Sequence, residues 1–210
     1  MTPAPTELSA ATVIVATLIG YGMGSIPFGL VLTRLGGLGD IRAIGSGNIG
    51  ATNVLRTGRK DLAAATLLLD AAKGAIAFYL VKWIAIGAET ESLALIGGLG
   101  AVVGHNFPLW LRFKGGKGVA TSIGLMIVAA PVVGIMACLT WLSMAAIYRY
   151  SSLSALVALA LAPAYAYILG YPLPALAFLA LGILGWVRHH ANIARLWAGT
   201  EPKIGGAKPA

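Results

Sequence analysis

Two segments of this chain mix glycine, small polar residues and positive charge in patterns suited to binding an anion. The first reads Asp40-Ile-Arg-Ala-Ile-Gly45-Ser46-Gly47-Asn48-Ile-Gly50-Ala-Thr52-Asn53-Val-Leu-Arg56, with Arg59 and Lys60 close behind. Glycines let backbone N–H groups approach an anion closely, and Ser46, Asn48, Thr52 and Asn53 add neutral donors. The second reads Gly104-His105-Asn-Phe-Pro-Leu-Trp-Leu-Arg112-Phe-Lys114-Gly115-Gly116-Lys117-Gly118-Val-Ala-Thr121. It places two cations among three glycines where a helix should start near Val119, and a helix N-terminus offers unpaired N–H groups and a positive dipole end. Both patterns are chemistry for a phosphate. An ordinary basic loop at a membrane surface needs the lysines and arginines but not the glycines between them.

Two better-known readings fail. Gly45-Ser-Gly-Asn-Ile-Gly50 matches the dinucleotide fingerprint in letters, with Asp70 at a suitable distance. That fingerprint needs a strand before it and a βαβ unit around it, whereas apolar spans flank it here. Lys117 is followed by Gly118 rather than Ser or Thr, so the second segment is not a Walker A loop.

Other polar residues are fewer. Arg188-His189-His190-Ala-Asn192-Ile-Ala-Arg195 closes the last apolar stretch, and His189 and Asn192 share a helix face at i, i+3. Asp70 and Lys73 also stand at i, i+3, inside an apolar stretch, where two readings stay open: a functional intramembrane pair or mutual neutralisation. His105, beside Asn106, reads either as a site residue or as a structural one. Three histidines and one cysteine, Cys138, give no zinc-like spacing, and neither a metal nor an organic cofactor is expected. No Ser-His-Asp or Cys-His arrangement and no carboxylate pair stands out. No basic patch carries the interleaved aromatics of a nucleic-acid platform.

The elements that must hold these residues are set by hydropathy. Of 210 residues, 58% are hydrophobic and 10% charged, with a mean hydropathy of +0.85. Soluble domains carry about 25% charged residues, so a soluble enzyme, a disordered chain and a coiled coil are excluded. Uncharged stretches run from Leu8 to Thr33, about Leu62 to Ile86 (interrupted by Asp70, Lys73 and Lys82) and Ser92 to Leu111. Gly118–Tyr148 and Tyr150–Val187 exceed the ~20 residues of one span. Each has a proline near its middle and basic residues at both ends, so each reads as a hairpin with its ends on one membrane face. A single long tilted helix over Gly118–Tyr148 is the alternative. The N-terminus lacks a basic region ahead of its first apolar run, which reads as a retained span and not as a cleaved signal.

The expectation is an all-α polytopic membrane protein, a single domain over residues 1–210, with short polar tails at about 1–8 and 200–210. It has seven transmembrane helices and two Gly-rich cytoplasmic loops. The N-terminus lies outside and the C-terminus inside. This places 14 of the 15 Lys and Arg on the cytoplasmic side, leaving Lys82 outside with Glu7, Glu89 and Glu91.

Taken together, Gly24-Ser-Ile-Pro-Phe-Gly29, the Gly45–Arg56 segment, Leu69-Asp-Ala-Ala-Lys-Gly74, Gly104-His-Asn-Phe-Pro with Phe113–Thr121, and Arg188-His-His-Ala-Asn192 resemble the PlsY family of membrane glycerol-3-phosphate acyltransferases, over about residues 15–205. The resemblance implies a seven-span enzyme of the bacterial inner membrane with its site on the cytoplasmic face. Its implied reaction moves a fatty acyl group from acyl-phosphate to the 1-hydroxyl of glycerol 3-phosphate, giving 1-acylglycerol 3-phosphate and phosphate for phospholipid synthesis. The implied partners are those two substrates and the lipid bilayer, with no nucleic acid; protein partners are not indicated. By this resemblance Arg56 and Lys117 clamp phosphates, while His189 and Asn192 line the site as catalytic candidates. Gly45, Ser46, Gly47, Asn48, Gly50, Asn53, His105, Lys114, Gly115, Gly116 and Gly118 are substrate-binding candidates. The serines of Arg149-Tyr-Ser-Ser-Leu-Ser-Ala155 are spaced unlike the family's usual run, so the roles of Ser152 and Ser154 stay open. The competing classes are a transporter of organic phosphates, which needs gates on both faces and usually repeat symmetry, and a scaffold subunit, which needs no glycine loops.

Overall fold

The computed structural model describes residues 8–85 and 89–205, and all the regular elements among them are helical. Helices α1 (Ala10–Gly24) and α2 (Phe28–Leu35) form one kinked apolar segment, broken at Ser25–Pro27 because proline cannot extend the hydrogen-bond ladder. A polar loop leads to the short α3 (Ala51–Leu55) and then to α4 (Lys60–Ile84). Next come α5 (Thr90–Asn106), α6 (Val119–Ala129), α7 (Pro131–Tyr148), α8 (Ser151–Ile168), α9 (Pro172–Arg188) and α10 (His190–Trp197).

Small residues let the helix backbones touch. A Cβ on Gly20 would lie 1.9 Å from the Gly97 carbonyl oxygen, and one on Gly24 the same distance from that of Ala101. This close seam between α1 and α5 is the expected mode of association in lipid, where side-chain burial offers little driving force. The larger apolar core lies among α4–α9, centred on Phe78, Leu125, Met126, Leu159, Phe178 and Leu181.

Both long stretches are hairpins, as their prolines predict. Ala130 has φ −150° and ψ 85°, Pro131 opens α7, and Gly134 packs on the Ile127 backbone. The single tilted helix is therefore excluded. The second hairpin turns at Gly170 (φ +79°) and Pro172. Not all of the expected seven spans are full-length helices. Five segments are long and apolar enough to cross a membrane, and Pro172–Arg188 makes a sixth if joined to α10 across a 61° bend. Helix α6 has eleven residues and rises about 16 Å, roughly half the ~30 Å hydrocarbon core. The glycine turn before it and Pro131 after it leave no room for more.

The polar connections gather at one end of the bundle. Thr52 of α3 meets Ser151 of α8, Lys117 meets Asn192 of α10, and Ile204 exchanges hydrogen bonds with Arg149. Residues 201–204 are therefore folded onto the bundle, unlike the polar tail expected from residue 200; residues 1–7 and 206–210 of the expected tails, with Glu7, lie outside the described residues. The turn between α5 and α6 sits well along α4. Lys73 bonds to His105 there, and between Lys60 and Lys73 α4 has risen roughly 20 Å.

Candidate active site

The first glycine segment is organised from within by Asn53, which is buried. Its Nδ2 donates to the carbonyls of Ile41, Ile44 and Asn48, at 3.0, 3.0 and 2.8 Å. Its Oδ1 accepts from the backbone N–H of Ser46 at 3.0 Å. Asn53 thus shapes the loop instead of offering donors outward, which departs from the expectation that it touches substrate. Gly45 and Gly47 take φ of +58° and +68°, where glycine pays no steric penalty. The Arg56 side chain lies across Gly45, where a Cβ would be 2.8 Å from its Cδ. Ser46 and Arg56 are exposed, and Asn48 and Gly50 partly so.

The second glycine segment is a turn held between two layers. On one side Gly115 N–H donates to the Asn106 carbonyl and Gly116 N–H to that of His105. On the other, the Arg188 guanidinium donates to the Gly115 and Gly116 carbonyls at 2.9–3.2 Å. Gly118, with φ +74°, caps α6 as its sequence predicts. Lys117 is half-buried and donates to Asn192 Oδ1 at 2.6 Å. Burial is the main cause that lowers its pKa to about 8, with Arg195, Arg56 and Arg188 adding repulsion and Glu201 opposing. Thr52 meets Ser151, whose neighbour Ser152 is joined through Glu201 and Asn192 to Lys117, so the two glycine segments border one region. Lys114 is exposed beside them.

The α9–α10 bend completes the region. His189 is buried, with Nδ1 2.6 Å from the Gly185 carbonyl. A carbonyl only accepts, so Nδ1 carries the proton and a neutral ring leaves the Nε2 lone pair available. Asn192 accepts from Lys117 and donates to Glu201 Oε1 at 2.6 Å. Glu201 also accepts from Ser152 at 2.6 Å and from Arg195 at 2.7 Å, and these bonds hold its carboxyl below the ordinary range despite burial. Glu201 was not singled out by sequence, because a lone glutamate in a polar tail carries no local signal. Its spacing from Asn192 and Arg195 was the available clue. Of the two serines left open, Ser152 joins this network, while Ser154 donates back to the Tyr150 carbonyl four residues earlier on its own helix.

His105 lies elsewhere. It is buried on α5, and its Nδ1 is 2.8 Å from Lys73 Nζ. Lys73 also meets Asp70 Oδ1 at 2.8 Å and the Ile26 carbonyl at 2.9 Å. The Asp70–Lys73 pair is therefore part of a three-residue buried cluster under the Gly115–Gly116 turn, and His105 reaches the turn's underside. Among the described residues no group of three or more His, Cys, Asp or Glu side chains is placed to hold a metal ion.

An apolar helical bundle with its cations and glycine turns gathered at one end defines an integral membrane protein with a site suited to an anion. The family described as glycerol-3-phosphate acyltransferase matches residues 14–199. A glycerol-3-phosphate acyltransferase of Rhodospirillum rubrum is 60% identical over 98% of this chain and 97% of its own length. One from Paramagnetospirillum magneticum is 62% identical over 93% of this chain and 95% of its own. The crystal structure of PlsY, an integral membrane glycerol 3-phosphate acyltransferase, in its glycerol 3-phosphate form superposes with a TM-score of 0.83 at 36% identity, covering 92% of this chain and 96% of that one. Its lysophosphatidic acid form gives 0.81 at 35% identity, covering 91% and 94%. The chain belongs to the PlsY family of membrane glycerol-3-phosphate acyltransferases.

Proposed function

We propose that this protein transfers a fatty acyl group from acyl-phosphate to the 1-hydroxyl of glycerol 3-phosphate, producing 1-acylglycerol 3-phosphate and phosphate for phospholipid synthesis. The observation that carries this reading is the hydrogen-bonded network of Lys117, Asn192, Glu201 and Arg195, set beside the Arg188-held glycine turn and the His189 bend at the polar end of an apolar bundle. Family membership supports acyl transfer to glycerol 3-phosphate, and a relative has been solved in forms named for that acceptor and for lysophosphatidic acid.

Acyl-phosphate is a mixed anhydride with phosphate as a built-in leaving group, so the enzyme needs no covalent intermediate. The glycerol hydroxyl oxygen bonds to the acyl carbon, the bond from that carbon to the phosphate oxygen breaks, and phosphate leaves with the electron pair. The hydroxyl proton passes to a substrate phosphate or to His189 Nε2. Arg56 and Lys117 clamp the two phosphates and stabilise the charge that develops on the leaving group. Gly45, Ser46, Gly47, Asn48 and Gly50 form one cradle; Lys114, Gly115, Gly116 and Gly118 form the other. Asn53 and His105 support these cradles from behind, and Asn192 orients Lys117. The excess of Lys and Arg at that end supports a cytoplasmic site in a bacterial inner membrane, with the N-terminus outside.

The test is to incubate purified protein with acyl-phosphate and glycerol 3-phosphate and to measure lysophosphatidic acid and released phosphate. Equal amounts of both products are expected. Absence of product together with glycerol 3-phosphate uptake into proteoliposomes overturns the reading in favour of a transporter.

A further inference from the structure

The Lys73 side chain is 1% exposed, well inside α4, yet its ammonium makes contacts on three separate elements. It pairs with Asp70 on its own helix at 2.8 Å, donates to the Ile26 carbonyl in the break between α1 and α2 at 2.9 Å, and meets His105 Nδ1 on α5 at 2.8 Å. An ammonium has no lone pair, so the Ile26 carbonyl and His105 Nδ1 accept from it, while Asp70 Oδ1 meets it as the opposite charge of an ion pair. His105 is then a neutral ring protonated on Nε2.

The ring's Nε2 edge is pressed against Gly116, where a Cβ would lie 2.0 Å from Nε2. The backbone bond from Gly116 N–H to the His105 carbonyl ties the same two residues again. Lys117 follows directly in the chain. A pair needed only to cancel charge would be complete with Asp70 and Lys73, sharing one helix. It would have no reason to engage the α1–α2 break or to fix a ring under the glycine turn.

We infer that Lys73 is a positioning residue: through His105 it sets the height of the Gly115–Lys117 turn, and so the place of the Lys117 ammonium in the site. This rests on the acyl-transfer reading for its kinetic test. Its physical content is narrower, namely that a buried cation on α4 governs how an anion is held at the polar end.

The experiment compares wild type with Lys73→Met, His105→Phe and the charge-balanced double variant Asp70→Asn/Lys73→Met. KM for glycerol 3-phosphate and kcat are measured from neutral to alkaline pH, with binding of glycerol 3-phosphate titrated in parallel by calorimetry. All three variants are expected to raise KM by about tenfold or more, since an ångström of misplacement at a reacting centre is enough for such a loss. They are also expected to move the alkaline limb that Lys117 sets near pH 8 upward. That limb shifts because Lys117 leaves its half-buried place beside Asn192, Glu201, Arg56, Arg188 and Arg195. A role in charge cancellation alone moves neither quantity in the double variant. A double variant with wild-type KM and limb therefore overturns the inference. If Lys73→Met fails to fold with Asp70 left unpaired, the other two variants carry the test. A wild type that binds glycerol 3-phosphate without turnover sinks the proposed reaction and leaves positioning to be judged by binding. Variants that bind as tightly as wild type sink the positioning role.

Discussion

Lys117 is the residue on which the site's charge balance turns. Because burial lowers its pKa to about 8, its ammonium is present below that pH and lost as pH rises through it. An anion placed beside it stabilises the charged form, so binding of glycerol 3-phosphate takes up protons near pH 8 and weakens at higher pH. Calorimetric titrations in buffers of different ionisation enthalpy will show that uptake, and kcat/KM will fall toward about a tenth per pH unit above the limb. Replacing Lys117 or Arg56 by Ala should each cost on the order of 10²-fold in kcat/KM, and normal activity in both removes the proposed clamp. His189→Ala distinguishes the two proton routes: near-full turnover at every pH means a substrate phosphate takes the proton. Glu201 accepts three side-chain bonds, from Ser152, Asn192 and Arg195. Glu201→Ala should therefore lower stability by about 2–3 kcal/mol, seen as a drop in the thermal unfolding midpoint, and loosen Asn192. Sequence disclosed those residues whose chemistry is local, such as Lys117 among its glycines. It did not disclose Glu201, whose partner Ser152 lies 49 residues away, nor that Asn53 turns its amide inward, because both depend on how the chain returns upon itself.

At the scale of elements, helix breaks do the positioning. The kink at Ser25–Pro27 frees the Ile26 carbonyl for Lys73, Pro131 and Gly170–Pro172 fold two hairpins back, and the bend at His189 turns α10 across the polar end. Prolines and flanking basic residues made these hairpins readable in advance. The short length of α6 follows from the distance between Gly118 and Pro131; hydropathy alone did not decide whether that stretch turns at the proline or runs on as one tilted helix. Gly118 shows what the turn demands. It combines φ +74° with a Cβ position 2.8 Å from both Asn106 Oδ1 and Val102 Cγ1. Gly118→Ala should cost roughly 1 kcal/mol in backbone strain alone and, by displacing Lys117, lower kcat/KM at least tenfold while the protein still folds. Circular dichroism beside kinetics separates the two effects.

For the whole molecule, the proposed orientation would account for most of the excess of +8 and the substrates for the rest. Single cysteines introduced at Lys60, Arg149 and Lys203 in a chain with Cys138 replaced should all react with an impermeant thiol reagent from one side only, and cysteine at Lys82 from the other. Mixed labelling at the first three breaks the one-sided arrangement. The cation cluster stands at the polar end of an apolar bundle, which brings the two proposed substrates in from phases of different dimensionality. Glycerol 3-phosphate arrives by volume diffusion and is counted in moles per litre. The acyl donor arrives within the lipid and is counted as a mole fraction of the surface. Adding inert detergent or lipid at fixed water volume should therefore raise the apparent KM for the donor in proportion to its surface dilution and leave that for glycerol 3-phosphate unchanged. For this enzyme the amount of membrane would itself set the rate.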